Sequence, residues 1–214
     1  TEMIALYEDV GKPLILNISG KGSKDTLCLM KRALKCGFRV ITVNGACPNK
    51  ADQPILCDDI ESVDELFALA DEEMGETETV FLWKVSCGMR RPALAHNKMR
   101  VGESKVFAGI ITGNTLPNTL DYLPNGKPTI QTEKNNIIRG GMSGPAILPI
   151  ALDHTAFCAD GMKNGKVVIG CGGASTATDI MKFFRAGAHM VQLHTAYITA
   201  PNGPAFMQQL ISDL

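Results

Sequence analysis

Six short apolar runs punctuate the chain: "PLILNIS" (13–19), "RVITVNG" (39–45), "TVFLWKV" (79–85), "VFAGIITGN" (106–114), "KVVIGCGG" (166–173) and "HMVQLHTA" (189–196). None alternates strictly between apolar and polar positions. Near-continuous runs rich in branched residues mark strands covered on both faces, as in parallel sheets. Stretches of helical period lie between them. "SKDTLCLMKRALKCG" sets Leu27, Met30 and Leu34 on one face and ends at Gly37, a suitable residue just past a helix. "DDIESVDELFALADEEMG" sets Ile60, Val63, Leu66, Phe67 and Ala70 on one stripe and stops at Gly75. "GPAILPIALDHTAFCADG", "STATDIMKFFRAGA" and "GPAFMQQLISDL" begin further helices. Strand and helix alternate, which predicts an α/β chain built on a parallel sheet.

One segment breaks the rhythm. "LPNTLDYLPNGKPTIQTEKNNIIRGG" (116–141) is polar and rich in Pro and Gly, and reads as a long functional loop over the strand ends. "MRRP" (89–92) reads as a small solvated basic loop.

Composition narrows the function classes. The chain has 214 residues and a formal net charge of -1, so nothing global points to nucleic acid or to an anionic membrane surface. No apolar run reaches the roughly 18 residues of a membrane span. The first residues, "TEMIALYEDVGK", are acidic and lack the basic start of a secretory signal. The seven cysteines are odd in number and include no C-x-x-C pair, which predicts free thiols, mostly buried, in a reducing cytoplasm and no metal site. Cys28, Cys36, Cys57 and Cys158 are expected to pack in helices or loops, and His96, His154 and His189 show no ligand spacing.

In parallel α/β folds the chemistry stands at the C-terminal ends of the strands. Those ends carry Asn17, the stretch from Asn44 to Asn49, Lys84, Asn114-Thr115, Gly170-Cys171-Gly172-Gly173 and His194-Thr195. The glycines of "GCGGASTATD" expose N–H groups beside a helix start, where an anion can bind, or they form a turn that merely fits. With "HTA" ending the neighbouring strand, the pair points to a phosphate grip. Lys84, at the end of an apolar run, either answers a buried anion or snorkels at a strand edge. Asn44, Asn49 and Asn114 can each donate and accept, which suits a flat ring of carbonyls and N–H groups, though asparagine is also a common turn residue. Cys47, with Pro48 behind it, is either an inert thiol or one poised to take a proton from carbon.

These motifs resemble dihydroorotate dehydrogenase, the flavin enzyme of pyrimidine synthesis. "VNGACPN" is similar to its N-x-S-C-P-N loop, "GNTL" to its N-T pair, "GGMSGPAILPIAL" to its G-G-L-S-G-P-A segment, and "IGCGGASTATDIMKFFRAGAHMVQLHTA" to its final phosphate-binding strands. The resemblance implies an FMN-dependent (β/α)8 TIM barrel that oxidises dihydroorotate to orotate in UMP biosynthesis. Cys47 would be the base that takes the C5 proton while hydride passes to the flavin. Asn44, Asn49, Asn114 and Thr115 would hold the substrate. Asn17, Asn44 and Lys84 would face the isoalloxazine, and Gly144, Gly172, Gly173, His194 and Thr195 the phosphate. Cysteine as the base is similar to the soluble class 1 enzymes. "GGMSGPA" and "NTL" resemble the type with an electron-transfer subunit, and "CPNKADQPILCDD" the type that reduces fumarate.

Departures are also visible. About six of eight β/α units are present, as one domain over 1–214, and the two before "PLILNIS" are absent from this chain. An incomplete barrel has open sheet edges, so an oligomer or a larger assembly is expected. Ala46 stands where the family has serine, Gly45 where an apolar side chain is usual, and His194 where class 1 enzymes carry glycine. These departures make a non-catalytic relative, kept as a structural or binding subunit, the alternative reading.

Overall fold

The computed structural model describes residues 14–47, 55–75, 77–130 and 137–214. All six apolar runs are strands: β1 (Ile15–Ile18), β2 (Val40–Asn44), β3 (Val80–Lys84), β4 (Phe107–Ile111), β7 (Val167–Cys171) and β8 (Met190–Gln192), with β5 (Leu116–Thr119) and β6 (Gly140–Met142) between the fourth and fifth of them. They form one parallel sheet in the order β1-β2-β3-β4-β7-β8, with matched registers such as Ile18 beside Val43 and Asn44 beside Lys84. Sequential strands are neighbours throughout, and helices connect them. This is the arrangement of a partial (β/α) barrel: the strand–helix alternation predicts the parallel sheet, and the family resemblance implies the barrel. Among the described residues, the outer edges of β1 and β8 pair with nothing.

The helices are α1 (Ser23–Lys35), α2 (Ile60–Glu73), α3 (Arg91–Glu103), α4 (Leu148–Ala159), α5 (Ala177–Arg185), α6 (Thr195–Thr199) and α7 (Gly203–Ser212). Val63, Leu66, Phe67 and Ala70 of α2 are fully buried, at the i, i+3, i+4, i+7 spacing of one helix face. Ile60, placed by the sequence pattern on the same stripe, is 42% exposed because it lies in the first turn, beyond the sheet. On α1, Leu27 and Met30 are buried and Leu34 only partly so.

The core gathers on the aromatic residues of β3, β4 and α2. The Phe67 and Phe107 rings stack at 4.3 Å, and Trp83 meets both edge-on at 5.4 and 5.8 Å. Truncating any one of these rings to alanine would cost about 3–5 kcal/mol. At the other end of the sheet, the Lys166 ammonium donates to the carbonyls of Ser104 and Phe107, both at 2.7 Å, closing the N-terminal side of β4 and β7.

Two elements differ from the sequence reading. "MRRP" is the head of helix α3, with Pro92 in its first turn. The helix escapes periodicity because polar and apolar residues are spread nearly evenly around it, although a proline at a helix start was a usable signal. The polar excursion after β4 carries the antiparallel ribbon β5–β6, pairing Leu116 with Met142 and Thr119 with Gly140. Its strands are 3–4 residues long and 20 apart, too short to show an alternation.

Candidate active site

The C-terminal ends of all six sheet strands open onto one cleft of about 620 Å³. Asn17 stands at its wall from β1, Asn44 from β2 and Lys84 from β3. Asn114 and Thr115 enter after β4, and Gly144 after the β5–β6 ribbon. Gly172 and Gly173 follow β7, and His194 and Thr195 follow β8. Ten of the residues singled out from the sequence therefore line a single cavity. Cys47 lines an adjoining pocket of about 220 Å³ that shares Asn44 with the first. Asn49 and Pro48 lie outside the described residues.

The side-chain end of the cleft is a network of amides. Asn44 Oδ1 accepts from the Ala46 N–H and from Asn114 Nδ2, each at 3.1 Å. Asn114 Oδ1 accepts from the Thr115 N–H at 2.8 Å. The two asparagines thus hold each other across three strands and fix the peptide just before Cys47. Lys84 donates to Gln192 Oε1 at 3.4 Å, and no carboxylate lies within ion-pair reach of it among the described residues. An ammonium at the foot of a cleft with only an amide for company favours an anionic ligand.

The glycine end is built of backbone. Gly173 has φ +85°, and a Cβ there would lie 2.5 Å from the Leu148 nitrogen. Ser175 N–H, Ser175 Oγ and Thr176 Oγ1 all donate to the Asp179 carboxylate, at 3.3, 3.3 and 2.9 Å. The start of α5 is therefore occupied by its own aspartate. This changes the expected anion site: a carboxylate already faces the dipole of α5, and the N–H groups of Gly172, Gly173 and Ala174, which make no bond among the described residues, are offered to a ligand ahead of that helix.

The thiols sort by burial. Burial pushes Cys87 up to about 11, Cys158 up to about 12, and Cys57 higher still, so these three stay protonated and inert. Cys28 and Cys36 are exposed on α1 and just after it, not packed as the sequence suggested. Cys47 and Cys171 are half-exposed at the strand ends. His96 bonds Asp64 at 2.8 Å, and His189 Nδ1 accepts from the Val168 N–H at 3.1 Å. His154 is buried in α4, as a packing role requires.

The family model described as Dihydroorotate dehydrogenase matches residues 3–214. The chain belongs to the dihydroorotate dehydrogenase family. A mitochondrial dihydroorotate dehydrogenase (quinone) from Kluyveromyces lactis is 36% identical over 103 residues, 47% of this chain and 22% of the relative. Dihydroorotate dehydrogenase A (fumarate) from Lactococcus lactis subsp. cremoris is 26% identical over 208 residues, 94% of this chain and 63% of the relative. The catalytic subunit of dihydroorotate dehydrogenase B (NAD(+)) from Archaeoglobus fulgidus is 34% identical over 130 residues, 60% of this chain and 40% of the relative. The chain spans less than two thirds of the length of each of these dihydroorotate dehydrogenases.

Two wall residues of this dihydroorotate dehydrogenase-family cleft escaped the sequence reading. Gln192 is the partner of Lys84, and its signal was its place two residues before His194 in the last strand. Thr42 is 2% exposed and its hydroxyl finds no partner among the described residues, although it faces the cleft from the middle of β2. Inside an otherwise apolar strand it carried no signal.

Proposed function

We propose that this chain carries the FMN- and substrate-binding part of a dihydroorotate dehydrogenase, oxidising dihydroorotate to orotate in pyrimidine biosynthesis. The observation that carries the reading is the convergence of an amide cluster, an ammonium without a carboxylate partner and an unspent glycine turn on one cleft. The residues fit FMN. The Gly172–Gly173 turn, Gly144, His194 and Thr195 would hold its phosphate, and Lys84 would lie against the ring edge that becomes negative on reduction. Asn17 and Asn44 would contact the isoalloxazine, and the unpartnered Thr42 hydroxyl lies within reach of the same cleft.

When bound, FMN supplies the hydride acceptor. Asn44, Asn49, Asn114 and Thr115 would hold the pyrimidine ring and its carboxylate. Cys47, as thiolate, takes the proton from C5 and becomes a thiol, the hydride leaves C6, and the C5=C6 double bond of orotate forms. Lys84 keeps a positive charge where negative charge develops. A cysteine base resembles the soluble class 1 enzymes, for which fumarate or an electron-transfer subunit takes the electrons in the cytoplasm. No helix among the described residues is long and apolar enough to cross a membrane. The outer edges of β1 and β8, which pair with no strand among the described residues, favour a further strand-bearing segment or chain beside them.

The visible spectrum of the purified protein tests this reading. Flavin bands that bleach anaerobically on addition of dihydroorotate are expected. A preparation that stays colourless after incubation with FMN would overturn it.

A further inference from the structure

The segment that carries Cys47 leaves β2 at Gly45 and returns to described structure at Ile55, just before a 3₁₀ turn at Leu56–Asp58. Its two flanks are tied together. Cys57 N–H donates to the Gly45 carbonyl at 3.0 Å, and Gly45 N–H donates to the Lys84 carbonyl at 3.0 Å. Behind this junction lies Asn97, at the middle of α3 and wholly buried. Its Nδ2 donates to the Cys57 carbonyl at 2.9 Å and to the Ala93 carbonyl at 2.8 Å, and its Oδ1 accepts from the Trp83 indole N–H at 2.6 Å. The indole in turn fills the space above Gly45: a Cβ on that glycine would lie 2.5 Å from the ring.

Asn97 occupies the buried stripe of α3 between Leu94 and Val101, where an apolar residue would pack without any bond to satisfy. A buried amide is retained at such a place only if its bonds are made. One of them stays within α3, to Ala93; the other two run to the returning flank of the Cys47 segment and to the ring that limits its departing flank. The opposite flank is held separately, by Asn44 and Asn114 on the Ala46 peptide.

We propose that Asn97 is a positioning residue for Cys47: through Cys57 and Trp83 it sets the height at which the thiol-bearing segment leaves the sheet. This rests on the reading of Cys47 as the proton-accepting base. Asn97 touches neither substrate nor flavin in this scheme. It acts on the proton-transfer step alone, and flavin affinity, set by the glycine turn after β7, is not its concern.

Asn97→Leu keeps the branched heavy-atom skeleton, with bulkier methyl ends, and removes all three bonds. Two rates are followed: alkylation of Cys47 by iodoacetamide in FMN-free protein, quantified on the Cys47 peptide, and anaerobic flavin reduction by dihydroorotate. Faster alkylation, and flavin reduction slowed on the order of tenfold or more with FMN affinity held, are expected. Trp83 is the sole tryptophan, so a change in its emission reports that the indole bond is lost. Unchanged alkylation and unchanged reduction would overturn the proposal, whatever happens to the melting temperature. If Asn97→Leu does not fold, a double-mutant cycle decides. Gly45→Ala drives a methyl into the indole, and Trp83→Phe removes the atoms it meets. The clamp requires the effect of Gly45→Ala on Cys47 alkylation to shrink in the Trp83→Phe background, and equal effects in both backgrounds would overturn it. Should the parent protein take up no FMN, the functional reading fails, while the alkylation arm still decides the role of Asn97.

Discussion

The two halves of the cleft are made of different material. After β7 and β8 the wall is backbone: Gly172 and Gly173 at positive φ, packed against the start of α4, with N–H groups left unspent. After β2, β3 and β4 it is side chain: Asn44, Asn114 and Lys84, each held by another residue of the cleft or its rim. A wall of backbone needs only small residues and a fixed turn, because the N–H groups are present whatever the sequence. A wall of side chains needs a supporting layer, and here that layer includes the Trp83–Asn97–Cys57 junction beneath the Cys47 segment. On that construction the first half should withstand exchange of its side chains but not of its glycines, and the second should be sensitive to exchange of its side chains.

The sharpest way to set the halves apart is to remove the thiol. In the proposed scheme Cys47→Ala deletes the base and leaves the glycine wall untouched. Flavin reduction by dihydroorotate, followed by stopped-flow absorbance, should slow by about 10²–10⁴-fold, with FMN still bound. A reduction rate equal to the parent's would take Cys47 out of the chemistry. Gly173→Val is the converse. The positive φ strains a β-branched residue by about 1–3 kcal/mol, and its Cβ would meet the Leu148 nitrogen at 2.5 Å. FMN affinity, measured by fluorescence titration, should fall on the order of tenfold to a hundredfold. An unaltered affinity would mean that the turn after β7 does not hold the phosphate. Lys84→Gln probes the side-chain half through the same cofactor. It keeps a donor and removes the charge, so FMN affinity should fall about tenfold, the worth of one charge-assisted bond.

The contrast also explains what could be read from the sequence. Six strands and five helices were legible because burial on both faces forces long apolar runs, and because glycine marks the stops at Gly37 and Gly75, both at positive φ. Gly172 and Gly173 were legible for the same reason: a glycine pair between strand and helix has few uses. Asn44, Asn114 and Lys84 were legible as polar residues at the ends of apolar runs. Asn97 was not, since it sits in a helix whose polar residues are spread around its whole circumference, and its partners lie 14 and 40 positions away. Gln192, the last residue of β8, was passed over for His194 and Thr195 just beyond it, and its partner Lys84 lies 108 positions away. The short β5–β6 ribbon was hidden by the polar segment it spans. Asp179 stood in plain view in "STATD", but its use as a cap, which sets a negative charge against the α5 dipole, depends on side-chain geometry that no spacing rule supplies.

That cap yields the smallest effect and tests whether the glycine wall stands by itself. The carboxylate of Asp179 receives Ser175 N–H, Ser175 Oγ, Thr176 Oγ1 and Lys182 Nζ, while Thr176 Oγ1 accepts from the Asp179 N–H at 3.1 Å. Burial works to raise its pKa, but the bonds from Lys182, Thr176 and Ser175 outweigh burial and hold the carboxyl below the usual carboxylate range. Asp179→Asn keeps the shape and loses the charge, so it should destabilise the fold at pH 7 by about 1 kcal/mol. Lys182 is 45% exposed, and its share is screened by salt. The sign with pH follows from linkage. Because the folded pKa is depressed, the unfolded chain binds the proton more readily, and the stabilising contribution is present in full above the ordinary carboxylate value of about 4. It is lost as pH falls through the lower folded value. Urea unfolding of parent and variant at pH 7, 5 and 3 should therefore give a gap that is constant at the first two and narrows at the third. A gap that persists undiminished in acid would mean that the ionised carboxylate is not what secures α5. The dipole of that helix would then be open to a bound phosphate, and the two halves of the cleft would differ less than their construction implies.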